Sequence, residues 1–257
     1  MAEEKRWSDL EKNFIDAAVA FQGGFLDLGS ACLVTYHKID LPLFNAVCRI
    51  LATPDDYDYI FTTCIDTYQA INAVPRVLVT PSSKPVDLPQ VLEARGFRPM
   101  ADPPKMYGYY SDQPPTVSPG TPVNEFLAED IEGFTRCFLA GRGIPEDRLA
   151  DWAETFAFGY NDPGTKFFWA KDGDTVIGTI TTFTKGGVTG LYWTSVRPEY
   201  HGKGIYESLL SSALSGAFQR KSKVIGTMVD ADAEEIPALE KIGFKQPYEL
   251  KYYELRE

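Results

Sequence analysis

From residue 5 to residue 21 apolar side chains return at every third or fourth position. Trp7, Leu10, Phe14, Ile15, Ala18 and Val19 fall on one face, which predicts an amphipathic helix. Shorter apolar runs follow: SACLVTYH (30–37) and RVLVT (76–80) read as strands, and LPLFNAVCRI (41–50) as a further strand or turn-strand between them. Helical spacing returns in IEGFTRCFLAGRG (131–143) and DRLADWAETFAFGY (147–160). The stretch 166–196 predicts three successive strands, with Asp172-Gly173 and Gly186-Gly187 where hairpin turns are needed. After it come a helix over YESLLSSALSGAFQRK (206–221), a strand at KVIGTMV (223–229), a short helix ending in LEKIGF (239–244) and a strand at LKYYEL (250–255). Helices, an antiparallel meander and then β-α-β-α-β make an α+β, or mixed α/β, domain built on a central sheet.

One segment breaks the pattern. Pro114, Pro115, Pro119 and Pro122 crowd residues 113–122 and no apolar period survives there, so this stretch reads as an extended linker. It divides the chain into 1–112 and 123–257. The halves rhyme: LEARGF (92–97) and LEKIGF (239–244) share Leu, Glu, Gly and Phe, each looking like a helix stopped by glycine. An aromatic strand follows each, KMYGYY (105–110) in the first half and LKYYEL in the second. The repetition predicts a structural duplication, two tandem units, each a mostly antiparallel sheet flanked by helices.

Composition narrows the function classes. Hydrophobic residues at 44% and charged ones at 24% fit a soluble globular protein. Apolar runs are too short for a membrane span, and MAEEKRWSDLEKNF does not resemble a secretory signal. The expected location is therefore cytoplasmic. The four cysteines, Cys32, Cys48, Cys64 and Cys137, are widely spaced without a CxxC pair, which points to reduced thiols and away from disulfides. His37 and His201 lie in different halves with no partner at ligand spacing, so no metal is expected. A net charge of −11 argues against nucleic acid and suits a cationic small substrate. Monomer and homodimer remain equally open.

The most chemically suggestive stretch is VRPEYHGKGIYESLL (196–210), where a strand passes into a helix through Gly202, Lys203 and Gly204. Glycines turn tightly and let a ligand approach the backbone, while the unpaired amides of a helix start attract anions. Such a loop is either an ordinary tight turn or a phosphate cradle. With VRPEY before it and ALEKIGFK near the end, the second half resembles the Gcn5-related N-acetyltransferases, the GNAT superfamily. His201, Gly204 and Tyr206 stand at the three positions of that family's cofactor signature. The first half, through its repeated motif and GSACLVTYHKIDLPLFNAV, resembles a degenerate copy.

The resemblance implies acetyl-CoA as co-substrate. The amides of Gly202, Lys203, Gly204, Ile205 and Tyr206 would hold its pyrophosphate, with Lys203 an added cation and His201 a hydrogen-bond donor. The backbone of Thr194, Ser195 and Val196 would bind the pantetheine arm where two strands splay. The chain also departs from the pattern. His201 replaces Arg or Gln, Tyr206 replaces a small residue, and Leu239 stands where the family's frequent acidic tyrosine would be. Asp232 stands where an asparagine is common. Asp230 and Asp232 are then candidate bases, with a helix N-cap as the bland alternative. Tyr206, Tyr252 and Tyr253 are candidate acids. Trp152, Phe156, Phe158 and Tyr160 are core residues or acceptor contacts. The implied activity is acetyl transfer to a primary amine of a small molecule or peptide; the alternative is a non-catalytic acyl-CoA-binding or protein-interaction module. Lacking a glycine loop, the first half is expected to bind no coenzyme A and to cover the sheet and shape the acceptor cleft.

Overall fold

The computed structural model describes residues 2–109, 113–114, 120–126 and 130–256, with residues 2–7 described by backbone alone. Half of the Pro-rich segment, residues 115–119, thus lies outside the described residues. The first half contains α1 (Ala2–Ala20), β1 (Gly24–Asp27), β2 (Cys32–Thr35), β3 (Ala46–Cys48), α2 (Tyr57–Ala70), β4 (Arg76–Val79), α3 (Leu88–Ala94), β5 (Arg98–Pro99) and β6 (Lys105–Tyr109). The second contains β7 (Val123–Glu125), α4 (Ile131–Arg142), α5 (Leu149–Tyr160), β8 (Thr165–Asp172), β9 (Thr175–Lys185), β10 (Val188–Val196), α6 (Ile205–Gln219), β11 (Val224–Val229), α7 (Ile236–Ile242) and β12 (Lys251–Glu254). The three predicted strands of 166–196 are β8, β9 and β10. Only Ala46–Cys48 of the run 41–50 is a strand, because Asn45 is spent capping the preceding turn through bonds to Tyr36 and Ile39.

Two six-stranded sheets result, ordered β1-β2-β3-β4-β12-β5 and β6-β11-β10-β9-β8-β7. The duplication is visible in their centres. In each a parallel pair is joined by a helix: β3 to β4 through α2, with Val47 opposite Val77, and β10 to β11 through α6, with Val188 opposite Val224. The repeated helix stops are real too, since Gly96 and Gly243 take left-handed φ of 91° and 106°.

The two halves nevertheless do not keep their own strands. The aromatic strand of each repeat closes the other's sheet. β6 pairs antiparallel with β11, Gly108 opposite Gly226, while β12 pairs with β4 and β5, Tyr253 opposite Val77 and Pro99. Tyr107 and Tyr109 are therefore buried in the second core and Tyr253 in the first. Strand exchange leaves no trace in periodicity, because either partner buries the same residues. A buried ion pair fixes it: Arg76 on β4 meets Glu254 on β12 at 3.0 Å, both about 5–6% exposed, and Arg76 also reaches Asp40.

Helix α1 lies across the second sheet. Leu10, Phe14 and Ala17 are buried against it, and a Cβ on Gly226 would meet Leu10 at 2.4 Å, so the helix sits directly on β11. A third core joins the halves: Phe21 and Phe44 pack on Phe138, Trp152, Phe156 and Trp193. Phe44 stacks on Trp193 at 5.4 Å and 11°, and Tyr36 bonds Thr155 at 2.5 Å. The first half thereby grips the strand that carries the site.

Candidate active site

The site begins with a broken ladder. β10 and β11 pair only from Val188/Val224 to Leu191/Thr227. Beyond that β10 bulges: its register with β9 shifts between Tyr192 and Ser195, and Trp193 adopts a left-handed φ of 53°. The bulge turns Thr194–Val196 away from β11 while they stay paired to β9 through Ser195/Thr179 and Val196/Gly178. A cleft of about 520 Å³ opens between the diverging strands.

At its floor the chain leaves β10, makes a short turn over Pro198–Tyr200 and enters α6 through the glycine loop. Gly202 and Gly204 both take left-handed φ, 73° and 75°, and a Cβ on either would enter open space. No side chain among the described residues caps α6. The Ile205 and Tyr206 amides have no acceptor among the described residues, and the helix dipole reinforces them.

The equivalent place in the first half carries a negative charge of its own. There α2 is preceded by a turn whose Asp56 carboxylate accepts from the amide and hydroxyl of Thr53, at 2.7 and 2.8 Å. The backbone bond from Thr53 holds the Asp56 carboxyl below the usual carboxylate range. A carboxylate of the protein thus stands beside that helix start, although it bonds Thr53 rather than the first amides of α2.

Thr194, Ser195, Val196, His201, Gly202, Gly204, Ile205, Tyr206, Asp230 and Asp232 all border the cleft. Lys203 does not: its ammonium lies over the Tyr200 ring at 4.5 Å. Ser195 turns its hydroxyl towards α4, bonding the Phe138 carbonyl at 3.1 Å. His201 is held on both sides, Nδ1 to Glu234 and Nε2 to the Val196 carbonyl, each at 2.9 Å. Tyr206 packs its ring against the second core and also lines the cleft, and its hydroxyl has no hydrogen-bond partner among the described residues. Burial, then the nearby Glu235 charge, pushes that hydroxyl well above the ordinary tyrosine range.

Arg142 is the residue that the sequence did not announce. Gly143 ends α4 at a φ of 62°, leaving Arg142 on the last turn, facing the cleft. Its guanidinium spans the splay, donating to the Thr194 carbonyl at 3.1 Å and pairing with Asp230 at 2.9 Å and Glu235 at 3.3 Å. Only the ordinary signature of a basic side chain at a helix C-terminus marked it beforehand. Asp230 is consequently committed to an ion pair. Asp232 remains exposed in the cleft and forms no ion pair or hydrogen bond among the described residues. Neither aspartate caps α7, whose N-cap is Glu235.

Several sequence-based candidates fall elsewhere. Tyr252 and Tyr253 are buried in β12 of the first sheet, away from the cleft. Leu239 is fully buried in the second core. Trp152 and Phe156 are core residues of the seam, Tyr160 flanks them, and Phe158 is half exposed outside the cleft.

This arrangement, a bulged strand splayed from its parallel neighbour above an uncapped glycine-led helix, coincides with a known family. Residues 129–244 match the acetyltransferase (GNAT) family. That stretch, residues 129–244, is a GNAT acetyltransferase-family domain. No curated protein sequence matches the chain. Among solved structures, a GCN5-related N-acetyltransferase from Kribbella flavida superposes with a TM-score of 0.70 at 12% identity, over 100% of this chain and 96% of the other. One from Sphaerobacter thermophilus gives 0.62 at 18% identity, over 90% and 83%. A tandem GNAT protein from the clavulanic acid biosynthesis pathway gives 0.59 at 14% identity, over 88% and 79%. At these identities the likeness is one of fold, and it extends across both halves: the molecule is two GNAT-like units. Among the described residues no helix is long and apolar enough to cross a membrane, and no cluster of His, Cys, Asp or Glu is arranged to hold a metal.

Proposed function

We propose that this protein transfers an acyl group, acetyl in the first instance, from coenzyme A to a primary amine of a small molecule or peptide. One observation carries the reading: the start of α6 offers unpaired amides, led by two left-handed glycines whose open side faces the cleft. The amides of Gly202, Gly204, Ile205 and Tyr206 would hold the pyrophosphate, with that of Lys203 first leaving its bond to the Tyr200 carbonyl, and the Thr194–Val196 backbone would hold the pantetheine arm. Coenzyme A would bring a thioester whose thiolate departs readily near neutral pH, since an ordinary thiol has a pKa of about 8.5. The protein's share is then mainly to hold amine and thioester together, which supplies more acceleration than one acid or base.

Charge in the cleft is consistent with this. Arg142 offsets Asp230 and Glu235, and His201 faces Glu234. Asp232 is left to attract an ammonium acceptor and to take its proton before attack. Tyr206, kept protonated by burial, is a group at the cleft that would return a proton to the leaving sulfur.

A second reading, a module that holds acyl-CoA without turnover, is favoured by Leu239 in the family's acid position and by the Thr194 carbonyl already accepting from Arg142. Calorimetric titration with acetyl-CoA followed by a thiol-release assay on a panel of amines separates them. Binding with release on some amine supports the enzyme, and binding without release supports the module. Absence of binding removes both.

A further inference from the structure

Cys32 and Cys48, 16 residues apart in sequence, stand directly opposite one another on β2 and β3 with their sulfurs 3.4 Å apart. Opposed residues of an antiparallel pair project from the same face, and both are free thiols in a buried setting, 6% and 5% exposed. Closing that gap to the roughly 2.05 Å of a disulfide needs only side-chain rotation and a small strand adjustment. Cys48 also lines a small apolar cavity between the two sheets, of about 30 Å³, with Leu43, Met106, Met228 and the exposed Arg49 among its other walls. A space of that size admits a molecule like water or hydrogen peroxide and excludes a bulky disulfide reagent.

We propose that Cys32 and Cys48 form a peroxide-responsive dithiol, a site of reversible disulfide formation in the first sheet. One thiolate attacks hydrogen peroxide; the O–O bond breaks, a sulfenic acid forms, and hydroxide leaves and is protonated to water. The second thiolate attacks the sulfenic sulfur, the S–O bond breaks, and a second water leaves. Two thiols and one peroxide thus give one disulfide and two waters. The two thiols divide the advantages: Cys48 lines the cavity and Cys32 does not, whereas the hydrogen bond from Cys48, and then the Arg49 charge, lower the Cys32 thiol while the same bond and burial raise Cys48. Cys64 and Cys137 serve as internal controls. Burial pushes each of them up to about 12, and neither faces another sulfur among the described residues.

The test is to treat the reduced, full-length protein with equimolar hydrogen peroxide, block remaining thiols with iodoacetamide, and measure intact mass and linked peptides. The expected product has lost two hydrogens, carries a Cys32–Cys48 cross-linked peptide, leaves Cys64 and Cys137 alkylatable after unfolding, and reverts with dithiothreitol. Because the bond closes a loop of about 15 residues, the oxidised form should melt roughly 5–10 °C higher. Both Cys32→Ser and Cys48→Ser should abolish the cross-link and the shift. Oxidation confined to Met106 or Met228 sulfoxide, sulfinic acid on Cys32 without a cross-link, or no reaction at all would overturn the proposal.

Discussion

Asp232 and Tyr206 border the same cleft in opposite electrostatic conditions. The carboxylate is exposed and has no partner among the described residues, and the phenol is half-buried with its proton held by burial. If Asp232 takes the acceptor's proton, Asp232→Asn should lower kcat/KM by about 10²-fold or more while leaving acetyl-CoA affinity unchanged; steady-state kinetics beside calorimetry checks this, and equal activity would remove Asp232 from the mechanism. For Tyr206 the ring and the hydroxyl separate cleanly. Tyr206→Phe keeps the packing, so melting should hardly change while turnover falls. Tyr206→Ala opens a gap in the second core and should destabilise by about 2–3 kcal/mol, less than a fully buried aromatic loses. The loop glycines and Tyr206 were legible in the sequence because their chemistry is local. Arg142 was not: its role depends on α4 ending beside a strand more than fifty residues later, a proximity that no local pattern encodes.

At the scale of elements, the central finding is the exchange of β6 and β12. Most helices and strands could be placed from periodicity, and the matching glycine stops exposed the duplication. Partner choice could not be read, since KMYGYY and LKYYEL present equivalent faces to either sheet. What distinguishes them is specific pairing, above all Arg76 with Glu254 and Asp40. Glu254→Ala removes one of the two carboxylates that meet the buried Arg76 and leaves Asp40 in place, so it should destabilise by about 1.5–3 kcal/mol. Denaturant unfolding measures it, and a loss under about 1 kcal/mol would show that hydrophobic pairing alone sets the exchange. The cysteines teach the same point. Their wide spacing suggested four unrelated thiols, but the β2–β3 register sets two of them face to face.

For the whole molecule, the seam of Phe21, Phe44, Tyr36 and their partners makes the first half a buttress for the bulged strand rather than an independent module. On the proposed function, the Asp56 carboxylate beside the start of α2 disfavours a second anionic ligand there, so calorimetry should return one acetyl-CoA per chain; a second equivalent would contradict that division. Alkaline stability follows from buried thiols. Cys64 and Cys137 titrate near 12 in the folded protein and near 8.5 when unfolded, so the unfolded chain sheds their protons first. Stability should be intact below about pH 8.5 and decline steadily from there towards pH 12, with buried Tyr68 and Tyr192 adding to the loss at the upper end. Melting temperatures across that range test it, and a flat profile would mean that these groups ionise without unfolding.

The claim on which the functional account rests is that the loop Gly202–Gly204 cradles a phosphate. Valine at Gly204 would fill the open side of the loop and favour a different backbone conformation. Titrating acetyl-CoA into the parent protein and into Gly204→Val, with circular dichroism to verify that the variant is folded, addresses the claim directly. Loss of two charge-assisted amide–phosphate bonds predicts at least about 2 kcal/mol, or about 30-fold weaker binding. A folded variant that binds acetyl-CoA as tightly as the parent would contradict the account and leave the loop as only a turn.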